Sequence, residues 1–242
     1  MAYDIMTVRT AEACDGRLYP VLGDGPNLVE FEPDDRQVNP LYARSIIVRL
    51  RDGSSLRDIL RVQDIQAQVL ISDARVIVAC EKYTKEGGGW IGFGGAGVAI
   101  ALTANAVGKA RAAHRRKGKA LVGHVRYRWL RSVGCTLHHD RNTSGSVRIG
   151  LTDFEKRTLF LDLGLAKGVD PALVAQDIAH RTARYRLEHD GAGMTSEVYG
   201  TYTALSNAGP LQPNTAKYMF YEMPTFRVAA ASSAYPKLAA HS

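Results

Sequence analysis

The chain has 242 residues, 45% of them hydrophobic and 23% charged, with a net charge of +7 and three cysteines, Cys14, Cys80 and Cys135. That length buries a self-sufficient core, and that balance excludes both a wholly disordered chain and a polytopic membrane protein. The odd, widely spaced cysteines suit reduced thiols better than a disulfide framework, and without a secretory or anchor pattern the expected location is the cytoplasm.

Charge is uneven along the chain. Residues 1–40 hold eight acids against three bases, a net −5. Between Glu86 and Asp140 there is no acid, and that interval holds Lys109, Arg111, Arg115, Arg116, Lys117, Lys119, Arg126, Arg128 and Arg131. The natural complement to such a field is an anionic partner or the chain's own acidic arm.

In chain order, residues 1–40 mix Gly, Pro and Asp with the short apolar pieces "RLYPVL" and "NLVEFE", which predicts a loosely structured arm with two short strands. "LYARSIIVRLR" (41–51) is rich in branched residues and predicts a strand ended by the turn "DGSS". "AQVLISDARVIVACEKY" (67–83) predicts two strands meeting at Ser72 and Asp73, with Val76, Val78 and Cys80 alternating against Arg75, Ile77 and Ala79. An alanine-rich helix is expected over about 96–116, apolar first and basic after, stopped near Gly118. "KALVGHVRYRWLRSVGCTLHH" returns to strand character, and "SVRIGLTDFEKRTLFLDLG" reads as two strands about the turn "TDFEK". Asp170 as cap, Pro171 in the first turn and an apolar face including Val174, Ile178 and Tyr185 predict a helix over 170–189. From 190 to 242 only six charges occur, and a tail with little periodic structure is expected, in which "KYMFYEMPTF" (217–226) packs back on its own domain, or else adds a strand or docks on a partner.

The stretch "GWIGFGGAGVAIAL" admits three readings. Gly92, Gly94 and Gly97 match the dinucleotide pattern G-x-G-x-x-G, but the strands that follow do not alternate with helices as a nucleotide fold requires. Trp90 to Val107 is an uncharged run of 18 residues, too rich in glycine for a good span; shallow insertion of Trp90, Ile91 and Phe93 fits better, with Lys109, Arg111, Arg115, Arg116, Lys117 and Lys119 facing anionic headgroups. The third reading is structural: the glycines let a helix pack closely on a sheet.

Other candidates carry less. "CTLHHD" offers Cys135, His138, His139 and Asp140 as metal ligands, but no second ligand pair lies elsewhere. No G-x-S-x-G elbow is present, and His180 reads as a surface or edge residue of the 170–189 helix. "HVRYRWLR" (124–131) interleaves bases with aromatics, yet as a strand it places Arg126, Arg128 and Leu130 on one face and Val125, Tyr127, Trp129 and Arg131 on the other, an ordinary two-sided strand. No catalytic set, metal or cofactor is expected, and nucleic acid is not the expected partner.

On "VLISDARVIVACEKY", "LVGHVRYRWLRSVG", "VRIGLTDFEKRTLFLDL" and the closing helix, residues 41–188 resemble the PH-like superfold, particularly GRAM and bacterial PH-like domains. The whole chain is also similar to uncharacterised actinobacterial proteins. The resemblance implies an α+β fold, a bent antiparallel sheet or barrel closed by a C-terminal helix, and a binding role toward lipid headgroups or proteins. The chain departs from the family in the Gly/Ala-rich helix inserted at about 87–117, in an acidic arm at 1–40 and in an extension at 190–242. The expectation is a non-enzymatic cytoplasmic module, peripheral to the inner face of the membrane, whose basic insert contacts an anionic lipid surface or a protein partner. The competing expectation is a self-assembling homo-oligomer that uses the insert and the tail as subunit contacts. A dinucleotide-binding enzyme comes third.

Overall fold

The structure, a computed structural model, describes residues 3–6, 20–22, 29–80, 120–137, 143–152, 155–208 and 218–224. Its strands are β1 (Tyr3–Met6), β2 (Asn39–Asp52), β3 (Ser55–Val62), β4 (Ala67–Ile71), β5 (Arg75–Cys80), β6 (Ala120–Arg126), β7 (Leu130–Leu137), β8 (Thr143–Thr152), β9 (Thr158–Ala166) and β10 (Tyr218–Glu222). Two α-helices, α1 (Pro171–Asp190) and α2 (Ser196–Asn207), complete the described residues. The strands form one sheet in the order β1-β6-β5-β4-β2-β9-β8-β7-β10, with β3 paired to β2. All pairings are antiparallel except β1 with β6, so this is an α+β arrangement and not a layered parallel sheet.

The long strand β2 organises the sheet. Its residues 39–43 pair with β4, and from Ala43 onward the opposite edge pairs with β9 while Ile46 to Asp52 pair with β3. Ala43 and Ile46 are both fully buried although three residues apart, which a strict two-residue period forbids; a register shift between Ala43 and Ser45 resets the alternation, and Val48 and Leu50 then follow it inward. The turn into β3 uses Gly53 at φ +58°, the left-handed conformation a tight hairpin needs.

The predicted single strand over 120–137 is two. A 3-10 turn at Tyr127–Trp129 separates β6 from β7, and both rings are completely buried. The Tyr127 hydroxyl donates to the Ser72 carbonyl at 2.6 Å and fixes the turn to the β4–β5 corner. Leu130 is buried in the core, so the two-faced strand with Arg126, Arg128 and Leu130 on one side does not form. Although β6 and β7 meet at this turn they do not pair, and each takes another neighbour, β1 and β10. The sheet is therefore not a closed barrel, which corrects that part of the expectation.

The main core lies between the sheet and α1, where Ala175, Ile178, Ala179 and Ala183 pack with β7, β8 and Trp129. The helix starts as its sequence predicts: the Asp170 carboxylate accepts from the Ala172 N–H at 2.8 Å and Pro171 opens the first turn. Beneath it Gly145 sits at φ +146°, and a Cβ there would lie 2.3 Å from the Thr136 carbonyl oxygen and 2.9 Å from Pro171 Cγ. Only glycine lets helix and sheet approach this closely.

A smaller cluster covers the other face of β4, β5 and β6, where Leu70, Ile77, Ala79 and Val122 are buried against Val29, with Leu22 and Val38 partly buried beside them. Strand β5 is thus buried on both faces. In the described part of the arm, β1 joins β6 in parallel, and Leu22 and Val29, one in each of the two apolar pieces, form an antiparallel bridge.

The tail has more structure than its composition predicts. Thr195 caps α2, whose Tyr202 is fully buried, and β10 adds to β7 as the 217–226 segment allows. His180 is half-buried and bonds through Nε2 to the Ser206 carbonyl, so it holds the end of α2 against α1.

Candidate functional site

The residues singled out for surface contact, Trp90, Ile91, Phe93, Lys109, Arg111, Arg115, Arg116, Lys117 and Lys119, lie outside the described residues, as do Gly92, Gly94, Gly97, His138, His139 and Asp140. What the structure shows is where their segment is attached. Cys80, the last residue of β5, pairs with Leu121 in β6, so residues 81–119 leave and return at neighbouring positions of two strands whose side chains are almost all buried. Those two strands are antiparallel, whereas a dinucleotide βαβ unit needs them parallel. Cys135 faces the core from β7 at 1% exposure, and no group of three metal-binding side chains occurs among the described residues.

A polar assembly lies at the opposite end of β5 and β6. It begins with Arg75, the first residue of β5, whose side chain is completely buried. The Arg75 guanidinium donates through Nε to both oxygens of Asp35, at 3.0 and 2.9 Å, and through Nη2 to the same carboxylate and to the Glu30 carbonyl at 3.1 Å. Its Nη1 reaches Glu32 Oε1 at 2.9 Å and His124 Nδ1 at 2.8 Å, which makes that imidazole nitrogen an acceptor. Arg126 places Nη2 on both oxygens of Glu32, at 2.7 and 2.8 Å, while its buried Nε has no partner among the described residues.

Asp35 is as buried as its partner. Burial works to raise its carboxyl, but hydrogen bonds from Arg75, from the Glu32 backbone N–H at 2.8 Å and from the Ser72 hydroxyl at 2.7 Å outweigh it and hold the group below the ordinary carboxylate range. The Ser72 oxygen also accepts from the backbone N–H of Ala74 and Arg75, which shapes the β4–β5 turn. Helix α1 joins through Arg181, which donates to Asp73 at 2.6 Å, to the Gln37 carbonyl at 2.9 Å and to Asp177 at 2.8 Å. Residues 29–40 are therefore fastened to both sheet and helix. Arg126, counted above in the acid-free interval, finds its complement in the chain's own acidic arm.

Two further ionic groups recur on this body. At the corner, Arg128 and the buried Arg186 share Asp190 at 2.7 and 3.0 Å. On the outer face of β2, β8 and β9, Asp162 is shared by Arg49 and Arg148, and Phe160 lies between Arg51 and Arg148 at 5.2 and 5.0 Å. In each group two arginines share one buried carboxylate.

Sequence reasoning missed Arg75. Alternation put it on a face with Ile77 and Ala79, and the one local signal was a lone arginine opening an otherwise apolar strand, "ARVIVAC". Its partners sit 40 and 43 residues earlier, out of reach of any local pattern. No helix among the described residues is long and apolar enough to cross a membrane. Comparisons with known proteins found no matching family model, no similar curated protein and no matching solved structure.

Proposed function

We propose that the protein is a PH-like binding module that contacts an anionic membrane surface through residues 81–119. The observation that carries this reading is the partition of charge. That segment holds eight bases and two acids, a net +6 of the chain's +7, and leaves +1 for everything else. Many arginines of the described body contact a carboxylate, among them Arg49, Arg75, Arg126, Arg128, Arg148, Arg181 and Arg186. The excess positive charge is thus concentrated on one segment held by two adjacent buried strands. In support of the PH-like reading, β2, β4, β5 and β6 and then β7, β8 and β9 run as antiparallel neighbours, β2 pairs with β9, and α1 follows.

In this reading Lys109, Arg111, Arg115, Arg116, Lys117 and Lys119 face the headgroups while Trp90, Ile91 and Phe93 enter the interface. Each basic residue near an anionic surface contributes about 1 kcal/mol, so four or five of them give reversible, salt-sensitive attachment. The test is sedimentation of the full chain with vesicles of phosphatidylserine and phosphatidylcholine, and with phosphatidylcholine alone. Binding to the anionic vesicles at low salt that weakens several-fold at high salt supports the reading; no binding to them at low salt removes it.

A second reading, self-association, is favoured by β10, an edge strand in the described sheet whose Phe220 is 46% exposed. Light scattering tests it: a monomer at every concentration removes it.

A further inference from the structure

Glu32 is placed differently from Asp35. Asp35 is sealed in and belongs to the frame: it holds Arg75, the Ser72 hydroxyl and the Glu32 backbone N–H, and the Asp35 backbone N–H in turn bonds the Glu32 carbonyl at 2.9 Å. The Glu32 side chain is 21% exposed, the Arg126 side chain 13%, and their contact forms the rim of the assembly. The backbone around Glu32 is thus fixed by bonds that do not involve its carboxylate, which can swing away without detaching the arm. What it would leave behind is a convergent set of donors: Arg75 Nη1 at the back and Arg126 Nη2 in front, with His124 bracing Arg75.

A carboxylate matches these donors incompletely. Glu32 Oε1 takes both Arg75 Nη1 and Arg126 Nη2, Oε2 takes only Arg126 Nη2, and Arg126 Nε stays buried without a partner among the described residues. An oxyanion engaged side-on by a guanidinium uses Nε and Nη2 together, and a phosphate has enough oxygens to do so while still meeting Arg75. We propose that Arg75 and Arg126 form an oxyanion seat whose resting occupant is the Glu32 carboxylate, and that a phosphate group, free or on a lipid headgroup, takes its place. The seat lies at the opposite end of β5 and β6 from residues 81–119, so the inference stands apart from the membrane reading of that segment.

The experiment uses the full chain at constant ionic strength, titrated with inorganic phosphate against chloride and followed by calorimetry and by the NMR signal of the Arg126 Nε–H. Removing an internal competitor that holds the seat nine-tenths of the time tightens binding about tenfold. Glu32→Gln is therefore expected to bind phosphate about tenfold more tightly than the wild type, with a shift of the Arg126 Nε–H signal, and Glu32→Gln/Arg126→Gln is expected to lose that gain. Equal phosphate response of the single and double variants overturns the proposal. Should Glu32→Gln fail to fold, the wild-type chain decides: an Arg126 Nε–H signal unmoved by saturating phosphate overturns it, and a phosphate-specific shift supports it. Vesicles containing phosphatidic acid, compared with phosphatidylserine at matched charge, identify the source. A preference of Glu32→Gln for phosphatidic acid assigns the seat to a lipid headgroup, whereas a response to inorganic phosphate alone assigns it to a free ligand.

Discussion

Replacing Asp35 by alanine removes the fully buried carboxylate that faces the fully buried Arg75. The guanidinium loses both Nε contacts and an Nη2 contact, the Glu32 N–H loses its acceptor, and the Ser72 hydroxyl keeps only the Arg75 carbonyl. Glu32, the Glu30 carbonyl and His124 remain. Breaking a buried pair from one side costs about 3–5 kcal/mol, and the surviving Glu32 contact places this variant near 3. For a chain of this size that lowers the melting temperature by about 6–12 °C. Urea unfolding of the full chain followed by circular dichroism gives the number. Replacing both partners with apolar residues, Arg75→Met/Asp35→Leu, leaves no unpaired charge at the centre and is expected to restore more than half of the loss. A cost below about 1 kcal/mol for Asp35→Ala, the range of a solvated surface pair, refutes the argument that this assembly fastens the arm to the sheet.

The same carboxylate sets an acid limit. Its folded-state pKa lies below the ordinary value of 3.8, so its contribution is complete above that value and is lost as pH falls through the depressed one; between pH 5 and pH 2 the wild type should lose stability more steeply than Asp35→Asn. Gly145→Ala forces a Cβ to 2.3 Å from the Thr136 carbonyl oxygen and should cost about 2 kcal/mol or more by urea unfolding, since backbone or the start of α1 must shift. Thr195→Ala removes the side chain that caps the Val198 N–H and should loosen α2 by about 1 kcal/mol, visible as faster amide exchange in its first turn with the sheet unaffected.

The parts of this fold that could be read from the chain are those whose cause is local. The β4–β5 and β8–β9 hairpins announce themselves through short apolar runs about polar turns, and α1 through Asp170, Pro171 and its apolar face. Other features have causes elsewhere in the molecule. Strand β3, "SLRDILRV", is an exposed edge that lacks a clean alternation. The turn at 127–129 imitates a strand because Tyr127 and Trp129 alternate with arginines, and it is the distant Ser72 carbonyl that holds it. Helix α2 contains Gly200 and several residues of poor helix propensity, and it is anchored by one buried ring, Tyr202. The Arg75 assembly required partners from the arm, so composition showed the complementary charges without showing which of them meet.

The charge partition between residues 81–119 and the rest of the chain can be tested by removing it. Replacing Lys109, Arg111, Arg115, Arg116, Lys117 and Lys119 with glutamine touches none of the described ion pairs and takes six charges from the segment. Vesicle affinity, measured as sedimented fraction against phosphatidylserine content at low salt, should fall by at least about a hundredfold if only three of the six each supply about 1 kcal/mol, since about 1.4 kcal/mol is a tenfold step. Unchanged vesicle binding by this variant, with its melting temperature also unchanged, contradicts the account.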